Sequence, residues 1–236
     1  MKHKLIIRAS GVGAIMTNPR SKSELISETT KKELEAIVLF DKYGIERDFS
    51  SMPTSKGIEL EPLAIDICKN ILGWFDVSET KTRMINDYIT GEPDVLTPTV
   101  LADIKCSFSA ETFPWFQKQL TNKAYYYQMQ SYMWLANKKE SELVYILLTT
   151  PERMVLDLIN KEAWKMLPDP KFERYSQDEI FDIAERVVRS KHNFEQIPIE
   201  KRIKKYEIQY DENTIEQIIE RIDYLKPIYN KMYNEI

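Results

Sequence analysis

The sequence predicts an α/β fold in which a mixed central β-sheet is flanked by helices. Three observations carry this. Two helical patterns, 21–43 and 56–72, each stop at a glycine, Gly44 and Gly73. Past Gly73 the texture changes to short β-branched and aromatic runs. A Tyr- and Met-rich helical stretch, 123–136, is then followed by the apolar run 143–149. Helix, strands, helix and strand in that order make layers of helix on a sheet.

The elements follow in order. Residues 10–16 read as a short helix capped by Ser10. Gly11-Val12-Gly13 has neither a preceding strand nor a third glycine, so it does not read as a phosphate-cradling loop. Helix 21–43 precedes a polar loop containing Met52-Pro53-Thr54-Ser55, and helix 56–72 follows it. The runs 82–88, 92–96 and 99–106 form a predicted β-meander, turning at Thr90-Gly91 and Thr97-Pro98. Strand 143–149 closes at Thr150-Pro151. Residues 151–200 are punctuated by proline, with one helix at 177–189, and the chain continues as strand 203–210 and amphipathic helix 213–232.

The 236 residues suit a single domain, 1–236. Hydrophobic residues at 43 % and charged residues at 30 % allow both a core and solubility. Thirty-three basic against 37 acidic residues give a net charge of −4, which argues against nucleic-acid binding by bulk charge and leaves a local basic groove open. Two cysteines, Cys68 and Cys106, cannot form a four-thiolate site or a disulfide framework. Two histidines, His3 and His192, cannot make a three-His metal site. Catalysis would have to come from carboxylates, lysine and amides. Arg8 interrupts the first apolar run after Leu5-Ile6-Ile7, and no stretch approaches the roughly 20 apolar residues of a membrane span, so the expectation is a cytoplasmic, reduced protein with no membrane partner.

The chemistry concentrates in Gly91-Glu92-Pro93-Asp94 and Asp103-Ile104-Lys105. Acid-x-Lys also occurs at Glu79-Thr80-Lys81 and Asp169-Pro170-Lys171, in turn-like sequence; the triplet at Asp103 differs in ending an apolar strand. Residues two apart on a strand share a face, so Asp103 and Lys105 point the same way. If Thr97-Pro98 is a two-residue hairpin loop, Asp94 faces Leu101 and lies diagonal to Asp103, about 7–8 Å away. Two such carboxylates can share a hard divalent cation; a surface hairpin with scattered charges would carry the same residues. On a helix, Glu61 joins a stripe with Ile58, Ile65, Cys68 and Leu72 while Glu59 turns away. Glu61 is then a core-facing acid needing a metal or a lysine, or one that snorkels from the stripe's edge. Gln128 and Tyr132 share a face with Ala124 and Leu135, and a core-facing glutamine needs hydrogen-bond partners.

Gly57-Ile58-Glu59-Leu60-Glu61-Pro62, Pro93-Asp94, Asp103-Ile104-Lys105-Cys106 and Gln128-Met129-Gln130-Ser131-Tyr132-Met133-Trp134 together resemble the PD-(D/E)XK nucleases, which have a restriction-endonuclease-like core. The match is closest to the phage lambda exonuclease or YqaJ-like viral recombinase branch, whose N-terminal motif resembles Ala9-Ser10 with Asn18-Pro19-Arg20-Ser21. The resemblance implies that Glu61, Asp94, Asp103 and the Ile104 carbonyl hold Mg²⁺ or Mn²⁺, that Lys105 activates the attacking water, and that Gln128 braces the lysine or the scissile phosphate. It implies substrate contacts at Ser10, Arg8 and Gln128, and an exonuclease working 5′ to 3′ from double-stranded DNA ends in phage-type recombination. It further implies a homo-trimeric ring, a single-strand annealing recombinase as partner, and a phage or prophage origin in a bacterial cell. An endonuclease or flap nuclease on the same core, and a non-catalytic DNA-end-binding partner of an annealing protein, are the alternatives. The chain departs from the branch at three places: Lys2, His3 and Lys4 stand where an arginine binds the terminal 5′-phosphate; Glu92, an acid that disfavours phosphate, stands where serine is common; and the stretch at about 151–200 resembles a family-variable insertion.

Overall fold

The computed structural model describes residues 4–48, 51–75, 77 and 82–236. Its strands form two hydrogen-bonded sheets. In the first, β3 (Ile89–Gly91) lies between β1 (Ile7–Arg8), parallel to it, and β2 (Met84–Ile85), antiparallel to it. The second is the expected mixed sheet, β4 (Val95–Leu96), β5 (Leu101–Cys106), β6 (Glu140–Ile146) and β7 (Ile203–Gln209) in that spatial order. Its central pair, β5 and β6, is parallel and both outer pairs are antiparallel.

The predicted meander is thus corrected: the chain changes sheets at Glu92-Pro93-Asp94, where Pro93 has no N–H to continue a ladder. Thr90-Gly91, expected to turn, belongs to β3. Gly91 is required there by close approach, since a Cβ would stand 2.7 Å from the Tyr132 ring.

Among the described residues seven α-helices cover the sheets. The first, α1 (Ala9–Ile15), starts after Arg8 without a side-chain cap, so Ser10 is an exposed first-turn residue and not the expected cap. Gly13 lets α1 reach α4 (Lys123–Ala136), because a Cβ would stand 2.5 Å from the Ala124 Cα. Helix α2 (Glu28–Tyr43) starts later than its periodicity predicts, where Ser27 accepts from the Thr30 N–H. Helix α3 (Met52–Leu72) starts earlier, because Ser51 caps Thr54 and Pro53 fits a first turn. Gly44 and Gly73 end these two helices in the left-handed conformation, with φ of 68° and 71°.

Residues 151–200 hold two helices where one was expected. Val155, Ile159 and Ala163 of α5 (Glu152–Met166) form a cluster of their own with Ile180, Ala184 and Val188 of α6 (Gln177–His192). Helix α7 (Glu212–Glu235) continues through Pro227.

The central strands β5 and β6 of the mixed sheet are covered on both faces. Ala102, Ile104, Val144 and Ile146 cluster with Ala64 and Cys68 of α3. Leu101, Leu143, Tyr206 and Ile208 cluster with Met129, Tyr132 and Met133 of α4. Ile7 and Ile89 of the smaller sheet pack among residues of α1, α2 and α7. Among the described residues no helix is long and apolar enough to cross a membrane.

Candidate active site

Thr97 sets the geometry. Its N–H donates to the Val100 carbonyl at 2.7 Å, and its hydroxyl accepts from the Val100 N–H at 2.9 Å. The hairpin loop therefore spans 97–100, and Val95 pairs with Ala102 and Leu96 with Leu101. One step further along this register Asp94 lies opposite Asp103, not diagonal to it as a two-residue loop would require. The Asp94 carboxylate takes the place of a β4 carbonyl, accepting from the Ile104 N–H at 2.7 Å.

Asp103 and Lys105 share the α4 face of β5. Asp103 is 3 % exposed, and its Oδ2 lies 2.6 Å from the Lys105 Nζ. Gln128, also buried, donates from Nε2 to the Tyr132 hydroxyl at 2.9 Å and reaches Asp103 Oδ1 at 3.4 Å. These contacts answer where a core-facing glutamine finds its partners. The Lys105 ammonium also stands over the Tyr125 ring, 4.8 Å from its centroid. Tyr125 was not singled out in the sequence, where it lies within a run of three tyrosines; the signal that finds it is its place three residues before Gln128, on the same face of α4.

Charge and burial compete here. Burial pulls the Lys105 pKa down, but the charge and hydrogen bond of Asp103, with the charge of Asp94 behind them, raise it overall. Burial, reinforced by the Asp103 charge, raises the pKa of the Tyr132 phenol, which stays neutral.

Glu61 stands across the sheet, on α3. It is half-buried, as is Ile65, and Cys68 is buried, but Ile58 is 69 % exposed; the core-facing stripe starts at Glu61 and not at Ile58. Glu59 turns outward and pairs with Arg153 of α5. Burial raises the Cys106 thiol to about 11, with contributions from the charges of Asp94 and Glu61, so both acids are near the end of β5. Among the described residues no three His, Cys, Asp or Glu side chains converge closely enough to hold a metal ion, so Glu61 is a neighbour of the Asp94–Asp103 pair without closing on it.

Ser10 and Arg8 are not drawn into this cluster. Arg8 is exposed, 5.7 Å over the Phe40 ring, and Ser10 is exposed on α1. Lys4 pairs with Asp87 at 2.7 Å, while Lys2 and His3 lie outside the described residues. The Glu92 carboxylate is offset by Arg83, Nε to Oε2 at 3.4 Å, a partner the sequence reading missed. Of the other acid-x-Lys triplets, Glu79-Thr80-Lys81 lies outside the described residues, and Asp169 only caps the Lys171 N–H in a surface turn.

No protein-family model and no curated protein sequence matches the chain. Solved structures do. A phage-related exonuclease from Haemophilus somnus is similar at 27 % identity and a TM-score of 0.74, over 99 % of this chain and 97 % of that one. An alkaline exonuclease from Laribacter hongkongensis shares the fold at 15 % identity and a TM-score of 0.64, over 98 % and 90 % of the two chains. The same exonuclease in complex with dAMP gives a TM-score of 0.62. Helices on both faces of the mixed sheet, with an acid-x-Lys triplet on its second strand, define the restriction-endonuclease-like class of nuclease fold. Within that class the chain is similar over nearly its whole length to a phage-related exonuclease, and it shares the fold of an alkaline exonuclease.

Proposed function

We propose that this protein is a Mg²⁺-dependent exonuclease that hydrolyses DNA from duplex ends in the 5′ to 3′ direction. The observation that carries the reading is the meeting of Asp94, Asp103, Lys105 and Gln128 at β5, in a chain that follows a phage-related exonuclease over 99 % of its length.

The donor chemistry fits a hard cation. Asp94, Asp103 and the Ile104 carbonyl, with Glu61 nearby, offer oxygen only, which suits Mg²⁺ or Mn²⁺. A divalent cation bound there would polarise the phosphoryl oxygen and lower the pKa of water. Asp94 ties the Ile104 backbone to the neighbouring strand. Asp103 orients Lys105, and the Tyr125 ring holds the ammonium from the other side. Lys105 then presents a fixed positive charge to the attacked phosphate and a donor to the attacking water. Gln128 keeps Asp103 in this orientation.

The test is a digest of linear and covalently closed circular plasmid with Mg²⁺, Mn²⁺, Ca²⁺, Zn²⁺ or a chelator. The expected outcome is loss of linear DNA with Mg²⁺ or Mn²⁺ and survival of the circle. Ca²⁺ is expected to support binding with little turnover, being larger and less polarising. Cutting of the closed circle would favour an endonuclease, and activity dependent on Zn²⁺ or surviving chelation would contradict the donor set.

A further inference from the structure

Lys56 has no exposed surface, and the chemistry above makes no use of it. It lies in the second turn of α3, and its Nζ donates to the backbone carbonyls of Ser107 at 3.1 Å and Phe108 at 3.0 Å. The rings of Phe108 and Phe194 close around it, with centroids 5.9 and 5.4 Å away. Taking an ammonium out of water costs several kcal/mol, which a methionine filling the same space would not incur. Burial accordingly draws the Lys56 pKa down to about 8.

Its position gives this cation a use. Ser107 makes the last rung between β5 and β6, donating to the Ile146 carbonyl at 2.8 Å, and the chain leaves the sheet at Phe108. Helix α3 runs antiparallel to β5: Lys56 meets the strand's exit, while Trp74, just past the helix, donates to Glu142, which is paired with Ala102 at the strand's start. At 1.5 Å per helical residue Glu61 stands about 7.5 Å along α3 from Lys56. At about 3.3 Å per strand residue that distance leads back from Ser107 to Lys105, within reach of the Cys106 thiol on which the Glu61 charge acts. Glu61 has the right height over β5 only while α3 keeps its place along the strand.

We propose that Lys56 is a positioning residue of the nuclease site: by clamping two carbonyls at the exit of β5 to α3, it fixes the height of Glu61 against Asp94, Asp103 and Lys105. The proposal rests on the reading of Glu61 as part of the metal donor set.

The test uses the full chain with Lys56→Met, Lys56→Gln and Lys56→Arg. Urea unfolding gives the folded fraction, calorimetry gives Mn²⁺ affinity without DNA, and kcat and KM are measured on linear duplex with Mg²⁺. In Lys56→Met, kcat per folded molecule and Mn²⁺ affinity are each expected to fall about tenfold or more, with KM for DNA unchanged. Lys56→Arg can still span two carbonyls and is expected to recover most of both. If Lys56→Met does not fold, Lys56→Gln, with one carbonyl within reach, is held to the same criteria. A folded neutral variant with wild-type kcat and Mn²⁺ affinity would overturn the proposal, as would an arginine variant as impaired as the neutral one. Failure of the wild type to degrade DNA would instead sink the exonuclease reading, and Mn²⁺ affinity would still decide the role of Lys56.

Discussion

At Lys105 two effects of comparable kind oppose each other, and the partner wins. Burial favours the neutral amine, but Asp103 at 2.6 Å and the charge of Asp94 hold the proton, so the pKa is raised. The group contributes stability that is fully present below the ordinary lysine value of about 10.4 and is lost as pH rises through the folded value. In this arrangement Asp103 and Asp94 hold Lys105 as a cation at neutral pH. Lys105→Ala is expected to abolish hydrolysis while leaving the fold and DNA binding largely intact, measured by single-turnover cleavage and a gel-shift titration with Ca²⁺. Comparable turnover would refute the site. Glu61 and Glu59 make a second contrast two residues apart, one facing the sheet and the other paired with Arg153. Glu61→Gln should lower Mg²⁺-supported cleavage by orders of magnitude and Glu59→Gln should be near neutral, since exposed pairs contribute about 0–1 kcal/mol. Equal effects would mean that the face of α3 is wrongly assigned.

At the scale of elements, the site depends on how α1 and α3 seat against their neighbours. Gly13→Ala would bring a Cβ to 2.5 Å from the Ala124 backbone, which cannot rotate away as a side-chain tip can. The expected cost is about 1–3 kcal/mol of stability, read from the urea midpoint. Because α4 carries Gln128, kcat should fall as well. Lys56 gives α3 a pH signature. Its folded pKa of about 8 lies below the unfolded value, so between the two the unfolded chain binds more protons. Its contribution to stability therefore rises with pH from about 8 towards 10.4, by up to about 3 kcal/mol. Urea unfolding of wild type and Lys56→Met at pH 7 and pH 9.5 should show this rise only in the wild type.

For the whole molecule the proposed exonuclease activity raises the question of how a DNA end would be selected. A 5′-phosphate pocket normally rests on a charge-assisted, often bidentate arginine contact, which a lysine imitates only as a point charge. Among the described N-terminal cations, Lys4 is engaged with Asp87, and Arg8 stands over Phe40. The expectation is a weak 5′-phosphate preference, within about a few-fold, a difference of less than about 1 kcal/mol. The check is the initial digestion rate of matched linear duplexes with 5′-phosphate or 5′-hydroxyl ends. A large preference for phosphate would show that a cation has taken over the pocket. Arg83 is the first to exchange in that case, because it already lies against Glu92 at the approach to Asp94.

How much was legible varied with the range of the interaction that decides each feature. Helix 123–136 could be read to the residue because its stops are local: Asn122 caps its first turn, and Asn137 ends it in the left-handed conformation. Asp103 and Lys105 could be placed on one face because alternation along a strand needs no partner. Glu61 could be told from Glu59 by helical phase alone. Helix α5 was missed because its start follows Pro151 without a side-chain cap, and its apolar face exists only against α6. The change of sheet at Pro93 and the four-residue loop at Thr97 were likewise hidden, although they decide that Asp94 lies opposite Asp103. Arg83 beside Glu92, Tyr125 beneath Lys105 and Lys56 at the exit of β5 join residues 9, 20 and about 51 positions apart. The sequence by itself determined the chemical inventory and the local periodicity, since residue type and neighbouring dihedrals decide those. Only the tertiary structure decided which strands pair, in what register, and which charges meet, because those depend on chain closure over distances no local pattern encodes.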